Sequence, residues 1–287
     1  MSSSPSPVVA NWELVLRLRE RREQLGVSVN DLTADLGFTR NYWSAIENER
    51  KIVPESTLIK LFDILEFNEE DRQQLLQLRE TAKENGWWNK YSALFDSDLQ
   101  RLHGLEHGAQ GIRGYETLLI PGLLQTADYA RAVIRSDATV RRAEVEQRVA
   151  VRLHRQERLH GDNPLDLRII MSEAVLLQQI GGTTVLKEQL EHLLKVIEQY
   201  PKNVDIRIIP FTAPTCSLFG AGTLHILDFD SPRLPRAAWV ETATTWRVIT
   251  HVTRVRDLTT AFNEAYAITQ DRQGTKQLIE RHRKELL

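Results

Sequence analysis

The chain has 287 residues, more than one domain usually holds, so a small domain joined to a larger one is expected. Its 41% hydrophobic and 26% charged residues are typical of a globular protein, and no run approaches the roughly 18 apolar residues of a membrane span. The formal net charge of −2 excludes a protein coated in positive charge for nucleic acid.

The chain begins with "MSSSPSPVVA", which lacks the basic and apolar regions of a secretory signal and predicts a flexible tail over residues 1–10. Cys216 is the single cysteine, which excludes an intramolecular disulfide framework and a cysteine-rich zinc site. A lone cysteine fits a reducing compartment, so we expect a cytoplasmic protein.

Residues 11–86 carry a helical pattern throughout and predict an all-α domain of five helices. Ser28 with Asp31 resembles a capping box that begins the second helix, which ends before Gly37. Thr39 caps a third helix over about residues 40–48, and Asn68 caps the fifth. The first helix is predicted from about Trp12 to Leu25, with Leu14, Leu18 and Leu25 on one face and Arg17, Arg21 and Arg22 on the other.

Two short helices separated by a glycine turn predict a helix-turn-helix, the motif that sets one helix against the DNA major groove. The segment "VSVNDLTADLGFTRNYWSAIENERK" resembles the XRE helix-turn-helix of the phage repressor and Cro type, and "PESTLIKLFDIL" is similar to its fourth helix. The resemblance covers about residues 12–67. It implies that the third helix reads double-stranded DNA.

In this family, the N-terminal end of the third helix reaches base edges. The resemblance therefore implies that Arg40 and Asn41, with Ala45 one turn later, contact bases. Arginine can donate two hydrogen bonds to guanine and asparagine can pair with adenine, each worth roughly 1–3 kcal/mol of discrimination. Contacts to the DNA backbone are expected from hydroxyl, amide and charged groups. These are Thr39, Tyr42, Asn48, Arg50 and Lys51.

The other faces of the motif are expected to be structural. Trp43 and Ile46 lie three residues apart and are expected to face inward with Leu32 and Leu36. The resemblance implies that Glu47 has an intramolecular partner, such as an arginine of helix one.

Some features weaken the DNA-binding interpretation. Residues 1–86 hold 11 Lys and Arg against 15 Asp and Glu, a net of −4, so attraction to DNA must come from local placement of basic groups. The sequence also departs from the family at three positions, with Val29 in place of a phosphate-contacting glutamine, Thr33 in place of alanine and Glu49 in place of glycine.

The composition changes near "ENGWWNKY", which predicts a second domain over residues 87–287. Strand-like segments there are "IRGYETLLI", "DLRIIMS", "VDIRIIPF", "GTLHILDF" and "AAWVET". They alternate with amphipathic segments such as "VLKEQLEHLLKVIEQY". We therefore expect an α+β domain with a sheet of four or five strands.

This second domain resembles the domain of unknown function that follows an XRE helix-turn-helix in actinobacterial regulators of the WhiJ type. The segments "IPGLLQTADYA", "RLHRQERL" and "SEAVLLQQIGG" carry the resemblance. It implies a transcriptional regulator with an assembly or sensing domain, in a family often accompanied by a small protein partner.

A set of polar residues is concentrated in the first part of this domain and either lines a pocket or subunit interface or forms a buried hydrogen-bond network that fixes the fold. "PGLLQT" alone is explained by a turn from strand to helix, with Thr126 as the cap. The set is Glu106, Arg113, Tyr115, Gln125, Tyr129, Arg152, Arg155, Gln156 and Glu173.

Motifs for enzymes are missing from the sequence, so we expect no catalytic residues, no metal site and no cofactor. His103 and His107 lie four apart in "HGLEH" without the zinc-protease glutamate, and no phosphate-cradling glycine loop or GxSxG occurs. We expect a DNA-binding transcriptional regulator that forms a homodimer or higher oligomer and has no membrane association. One alternative is an antitoxin- or adaptor-like module that holds a small protein partner, and another is a ligand-gated sensor.

Overall fold

The computed structural model describes residues 6–242 and 245–286. The described chain divides into two compact units, with the division between Asn89 and Lys90. Below, they are called the N-terminal unit and the C-terminal unit. As predicted, the first is helical and the second combines helices with a sheet.

The part of the N-terminal unit that the structure describes is built from five α-helices, which agrees with the predicted fold class. Their bounds are α1 Pro7–Gln24, α2 Val29–Leu36, α3 Arg40–Glu47, α4 Glu55–Ile64 and α5 Glu69–Ala82. An apolar cluster fills the centre of this unit, with contributions from each helix.

The start of α1 corrects the prediction of a tail through residue 10 and a helix from about Trp12. The helix begins at Pro7, because the Ser6 side chain accepts a hydrogen bond from the backbone N–H of Val9 and proline suits the first helical position. Residues 1–5 of the predicted tail lie outside the described residues.

The predicted helix caps are confirmed. The side-chain oxygens of Ser28, Thr39 and Asn68 accept hydrogen bonds from the backbone N–H groups three residues on, at 3.2, 3.2 and 2.8 Å. In the capping box, the Ser28 hydroxyl also donates to the Asp31 carboxylate at 2.6 Å. Local sequence thus fixes where α2, α3 and α5 begin.

The face of α1 that we expected to be polar is partly buried. Arg17 is 5% exposed, and its guanidinium donates to the side chains of Gln74 and Asp71 on α5. The sequence placed Arg17 on the face opposite the leucines without predicting its burial, and in the structure α5 packs over it and supplies its acceptors. Leu14 and Leu18 lie in the core as expected.

A 3₁₀ segment, Trp87–Leu94, spans the division and leads into the C-terminal unit. Its helices are α6 Ser97–Gly108, α7 Ala127–Ser136, α8 Val145–Gln156, α9 Thr183–Gln199, α10 Val252–Ala267 and α11 Arg272–Glu285. Its strands are β1 Gly111–Glu116, β2 Asp166–Ser172, β3 Val204–Ile209, β4 Thr223–Asp228, β5 Ala237–Glu241 and β6 Trp246–Ile249.

Within the described residues, the sheet has six strands in the order β3-β2-β1-β4-β5-β6, one more than the predicted maximum. The first three are parallel to one another, whereas β1-β4, β4-β5 and β5-β6 are antiparallel pairs. The five predicted strands are all present. The added strand, β6, lies at the edge of the sheet, in a segment for which no strand was predicted.

Side-chain alternation gives the sheet two different faces. On one face, Tyr115 and Ile226 join an apolar cluster with Phe262 of α10. On the other face, Glu116 and His225 point toward α6, α7 and α8, where they line a cavity. The two faces therefore differ in polarity, and the second is the one on which charged groups are enclosed.

Candidate functional site

The helices α2 and α3 are joined by a tight turn at residues 37–39. Gly37 has a φ of +67°, a conformation that glycine adopts without strain. The backbone N–H groups of Gly37 and Phe38 donate to the carbonyls of Ala34 and Thr33, which closes α2 before Thr39 caps α3. The glycine turn and the Thr39 cap together place α3 beside α2.

One face of α3 is anchored in the core and the other is open. Trp43 and Ile46 are each 1% exposed and belong to the same apolar cluster as Leu32 and Leu36 of α2, as predicted. The exposed residues of the helix lie on other faces. They are Arg40, Asn41, Ser44 and, at its C-terminal cap, Asn48.

The residues predicted to contact bases differ in their environment. Arg40 is exposed at the first position of α3, and its Nε donates to the side-chain oxygen of Asn30 on α2. Asn41 is exposed beside it. Ala45 is half-buried, and its carbonyl accepts hydrogen bonds from the backbone N–H groups of residues 50 and 51, just after the end of α3. The structure therefore presents Arg40 and Asn41 to solvent and sets Ala45 further back.

The residues predicted to contact the DNA backbone differ in the contacts that they make within the protein. Tyr42 lies between Phe38, with ring centroids 4.6 Å apart, and Lys51, whose Nζ is 4.7 Å from the tyrosine centroid. Such a cation–π contact restricts where the ammonium group lies. Asn48 instead turns back on α3, donating from Nδ2 to the Ser44 carbonyl at 2.7 Å. Arg50 is exposed, and Thr39 is used as the α3 cap.

Two arginines of α1 make contacts within the N-terminal unit. Arg19 donates to the backbone carbonyl of Glu47 at 2.7 Å, and Arg22 lies 3.7 Å from the Glu47 carboxylate. The expectation that Glu47 pairs with an arginine of helix one is thus confirmed. The exposed basic residues at and just after α3 are Arg40, Arg50 and Lys51.

The three departures from the family have structural consequences. Val29 packs against the apolar cluster, so it offers no polar group at the start of α2. Thr33 is buried, and its hydroxyl donates to the Val29 carbonyl at 2.8 Å, which satisfies a polar group that alanine would lack. Glu49 has a φ of +60°, which explains why glycine suits this position better.

In the C-terminal unit, six of the nine polar residues singled out from the sequence converge on the turn at residues 120–126. Gln156, Tyr129 and Gln125 contact its backbone directly, the last by donating to the Ile120 carbonyl at 2.6 Å. Gln156 donates to the carbonyls of Gly122 and Gln125, and the Tyr129 hydroxyl accepts from the Ile120 N–H at 3.4 Å. The other members are Glu106, Arg152 and Arg155.

The remaining residues of that set lie elsewhere. Arg113 pairs with Asp228 at 2.9 Å, and Tyr115 is 1% exposed on the opposite face of the sheet. Burial raises the pKa of Tyr115 to about 12, so its phenol stays protonated. Glu173 accepts from His282 of α11 at 2.7 Å. These three residues are not part of the group at residues 120–126.

Several polar residues near that group were not singled out from the sequence. Glu116, His225 and Glu241 line the same cavity as Arg152, on three different strands. The signal that could have found Glu116 is strand alternation, because "IRGYE" places it on the same face as Ile112, in a strand otherwise buried.

Among the residues that the structure describes, no group of three or more His, Cys, Asp or Glu side chains is arranged to hold a metal ion. Within the same residues, no helix is both long and apolar enough to cross a membrane.

The two short helices α2 and α3, the glycine turn between them and the anchoring of α3 in the core define a helix-turn-helix protein, a class of DNA-binding regulators. Residues 13–75 match a family model described as a helix-turn-helix domain. Residues 99–281 match a second model, described as a domain of unknown function (DUF5753), which covers more than half of the chain. The chain therefore belongs to the DUF5753 family. Searches of curated proteins and of solved structures found no significant match.

Proposed function

We propose that the protein is a sequence-specific transcriptional regulator in which α3 enters the major groove of double-stranded DNA. The observation that carries this proposal is the division of α3 into two faces. Trp43 and Ile46 hold one face in the core, while Arg40 and Asn41 are exposed at the N-terminal end of the other. This is the end of a recognition helix that contacts bases.

Arg40 is suited to read guanine. Its Nε is engaged by Asn30 and, among the described residues, its two terminal nitrogens have no hydrogen-bonded acceptor. A guanidinium held by one edge presents the other edge as a fork, the geometry that pairs with the O6 and N7 atoms of guanine. Asn41 lies next to it and offers the amide that pairs with adenine.

Phosphate contacts are proposed to orient the helix. Lys51 is placed by the Tyr42 ring, and Arg50 is exposed beside it. The Tyr42 hydroxyl and Thr39 add polar groups at the other end of α3. Asn48 contributes less than expected, because its amide is already bonded to Ser44. These groups supply local attraction in a unit whose net charge is negative.

The C-terminal unit is proposed to be the regulatory part and to join two copies of the chain. A single small helix-turn-helix domain contacts too little DNA for the usual specific affinity. We therefore expect two such domains to bind paired half-sites. The resemblance to WhiJ-type regulators supports a role in assembly or sensing, with a small protein partner as a further component.

Genomic footprinting of the tagged full-length chain tests this proposal. We expect discrete occupied sites that share one sequence with two half-sites. Affinity purification of the same chain should accompany the footprint. A tight small-protein partner combined with no discrete genomic sites would contradict the proposal and favour the antitoxin- or adaptor-like alternative.

A further inference from the structure

The C-terminal unit contains a solvent-accessible cavity of about 790 Å³ between the sheet and helices α6, α7 and α8. This volume lies within the range of about 300–1,000 Å³ that is usual for small-molecule sites. Elements distant in sequence form the walls, from Leu94 to Trp246. It is therefore a feature of the folded unit rather than a crevice within one loop.

Much of the wall is apolar. Leu102 of α6, Ile134 of α7 and Val151 of α8 line the helical side, and Trp239 and Trp246 line the sheet side. Apolar and aromatic walls of this kind bind the body of an organic molecule by removing its surface from water.

Two arginines of α8 stand side by side at one end of the cavity, against Gly122. A Cβ atom on Gly122 would lie 3.4 Å from Nη1 of Arg155 and 3.5 Å from Nε of Arg152. Arg155 is neutralised, because it donates from Nε and Nη2 to the Glu106 carboxylate at 2.6 and 2.7 Å. Its charge is therefore already matched within the protein.

Arg152 is in a different position. Its Nη1 donates to the neutral side chain of Gln125 at 2.8 Å, and among the described residues no carboxylate lies within ion-pair distance of it. Burial lowers the pKa of Arg152 to about 10, and the charge of Arg155 acts in the same direction, so the guanidinium remains charged at neutral pH. A half-buried cation without a bound anion is costly, and an anionic ligand would offset that cost.

The acidic groups nearest to Arg152 are held by other partners. Glu116 accepts from the Thr223 hydroxyl at 2.7 Å and lies 3.2 Å from the His225 ring nitrogen. Glu241 accepts from the indole of Trp239 at 3.1 Å. These contacts keep both carboxylates on the sheet side, where they attract Arg152 without touching it.

We propose that this cavity binds a small organic acid, with its anionic group on Arg152 and its apolar body against the wall formed by α6, α7, α8 and β6. The proposal deepens the regulatory role proposed for the C-terminal unit and rests on it. Its test uses no DNA, so a failure of the assignment of α3 as the recognition helix and a failure of this site are distinguishable.

Two fluorescent probes that share one ring system test the site in the full-length chain. The first, 1-anilinonaphthalene-8-sulfonate, carries an anionic group, and the second, N-phenyl-1-naphthylamine, lacks it. We expect saturable binding of one sulfonate probe per chain. Arg152→Gln should weaken it roughly tenfold or more and leave the neutral probe unchanged, because a charge-assisted hydrogen bond is lost.

Arg135→Gln is the matched control, because it removes one positive charge from an exposed position of α7 outside the cavity wall. Its affinity for the sulfonate probe should equal that of the unaltered chain, and Arg152→Lys should retain part of the binding. Equal effects of Arg152→Gln and Arg135→Gln, or no effect of Arg152→Gln, would overturn the proposal.

A competition experiment on the unaltered chain keeps the proposal testable if Arg152→Gln does not fold. Indole-3-acetate should displace the sulfonate probe, whereas the uncharged indole-3-acetamide should displace it at least about tenfold less effectively. Equal displacement by the acid and the amide would show that the cavity does not select an anion and would overturn the proposal.

Discussion

Four helices of the N-terminal unit end with a residue in the left-handed region of backbone space. These residues are Gly26, Gly37, Glu49 and Glu66, with φ between +50° and +67°. After α3, the N–H groups of Glu49 and Arg50 donate to the carbonyls of Ile46 and Ala45, both at 2.8 Å, which is a Schellman ending. Glycine adopts this conformation without strain, whereas the Cβ of glutamate makes it unfavourable.

Glu66→Gly is therefore expected to stabilise the N-terminal unit. The relief of backbone strain at this left-handed position outweighs the added conformational entropy of the unfolded chain, so the free energy of unfolding should rise by about 0.5–1 kcal/mol. Glu49→Gly should act in the same direction, and it also removes a negative charge beside Arg50. Chemical denaturation measures both variants. A decrease in stability for Glu66→Gly would show that the glutamate side chain makes contacts that outweigh the strain.

Lys51 provides a residue-scale test of the phosphate contacts. Lys51→Ala should weaken binding evenly across DNA sequences and reduce the slope of log affinity against log salt by about 0.9, because one phosphate contact is lost. Fluorescence anisotropy at several salt concentrations measures this slope. Lys83→Ala, which removes an exposed lysine paired with Glu80 at the end of α5, is the control and should leave it unchanged. An unchanged slope for Lys51→Ala would place Lys51 away from the DNA.

At the scale of elements, the sequence predicted those helices and strands whose signals are local. Caps such as Ser28 and Thr39 act within three residues, so they can be read without knowledge of the fold. The missed strand β6 is half-exposed and pairs only with β5, so it lacks a clear apolar alternation. The burial of Arg17 was missed because α5 covers it, which depends on tertiary packing.

Two ion pairs of α8 allow a comparison of buried and exposed pairing. Glu106 of α6 is 2% exposed and binds Arg155, whereas Glu146 is exposed and binds Arg131 of α7. Glu106→Gln leaves a buried arginine without its carboxylate, so it should cost about 3–5 kcal/mol of stability. Glu146→Gln should leave stability close to that of the unaltered chain. Thermal and chemical denaturation compare the two, and equal losses would contradict the burial argument.

At the scale of the whole molecule, the groups that line the cavity come from separate parts of the chain. Gln125, Arg152 and Arg155 lie close enough in sequence to have been grouped together, but Glu116, His225 and Glu241 reach them only through the pairing of β1, β4 and β5. Sequence patterns predicted the strands without their order, so these contacts could not be predicted.

The pH dependence of the free energy of unfolding is expected to reflect the protonation of His103. Burial lowers its pKa to about 3, and the charge of Arg155 acts in the same direction. Between pH 6.5 and 3 the unfolded state binds a proton that the folded state does not, so stability falls as the pH falls. From pH 7 to pH 5 this loss should be about 2 kcal/mol for the C-terminal unit.

Chemical denaturation at pH 7 and pH 5 measures the effect, in a range above the carboxylate titrations. The His103→Gln variant should lose about 2 kcal/mol less between these two pH values than the unaltered chain, whatever its stability at pH 7. Equal losses in the two chains would mean that His103 is accessible to protons in the folded state.

Selection of DNA ligands from a random library, performed with the unaltered chain and with Arg40→Ala, tests most directly whether α3 reads sequence. We predict that the unaltered chain enriches one motif. Arg40→Ala should enrich the same motif with its preference lost at a guanine position, because the bidentate contact is removed. An identical motif for both chains, or no enrichment by the unaltered chain, would contradict the assignment of α3 as the reading helix.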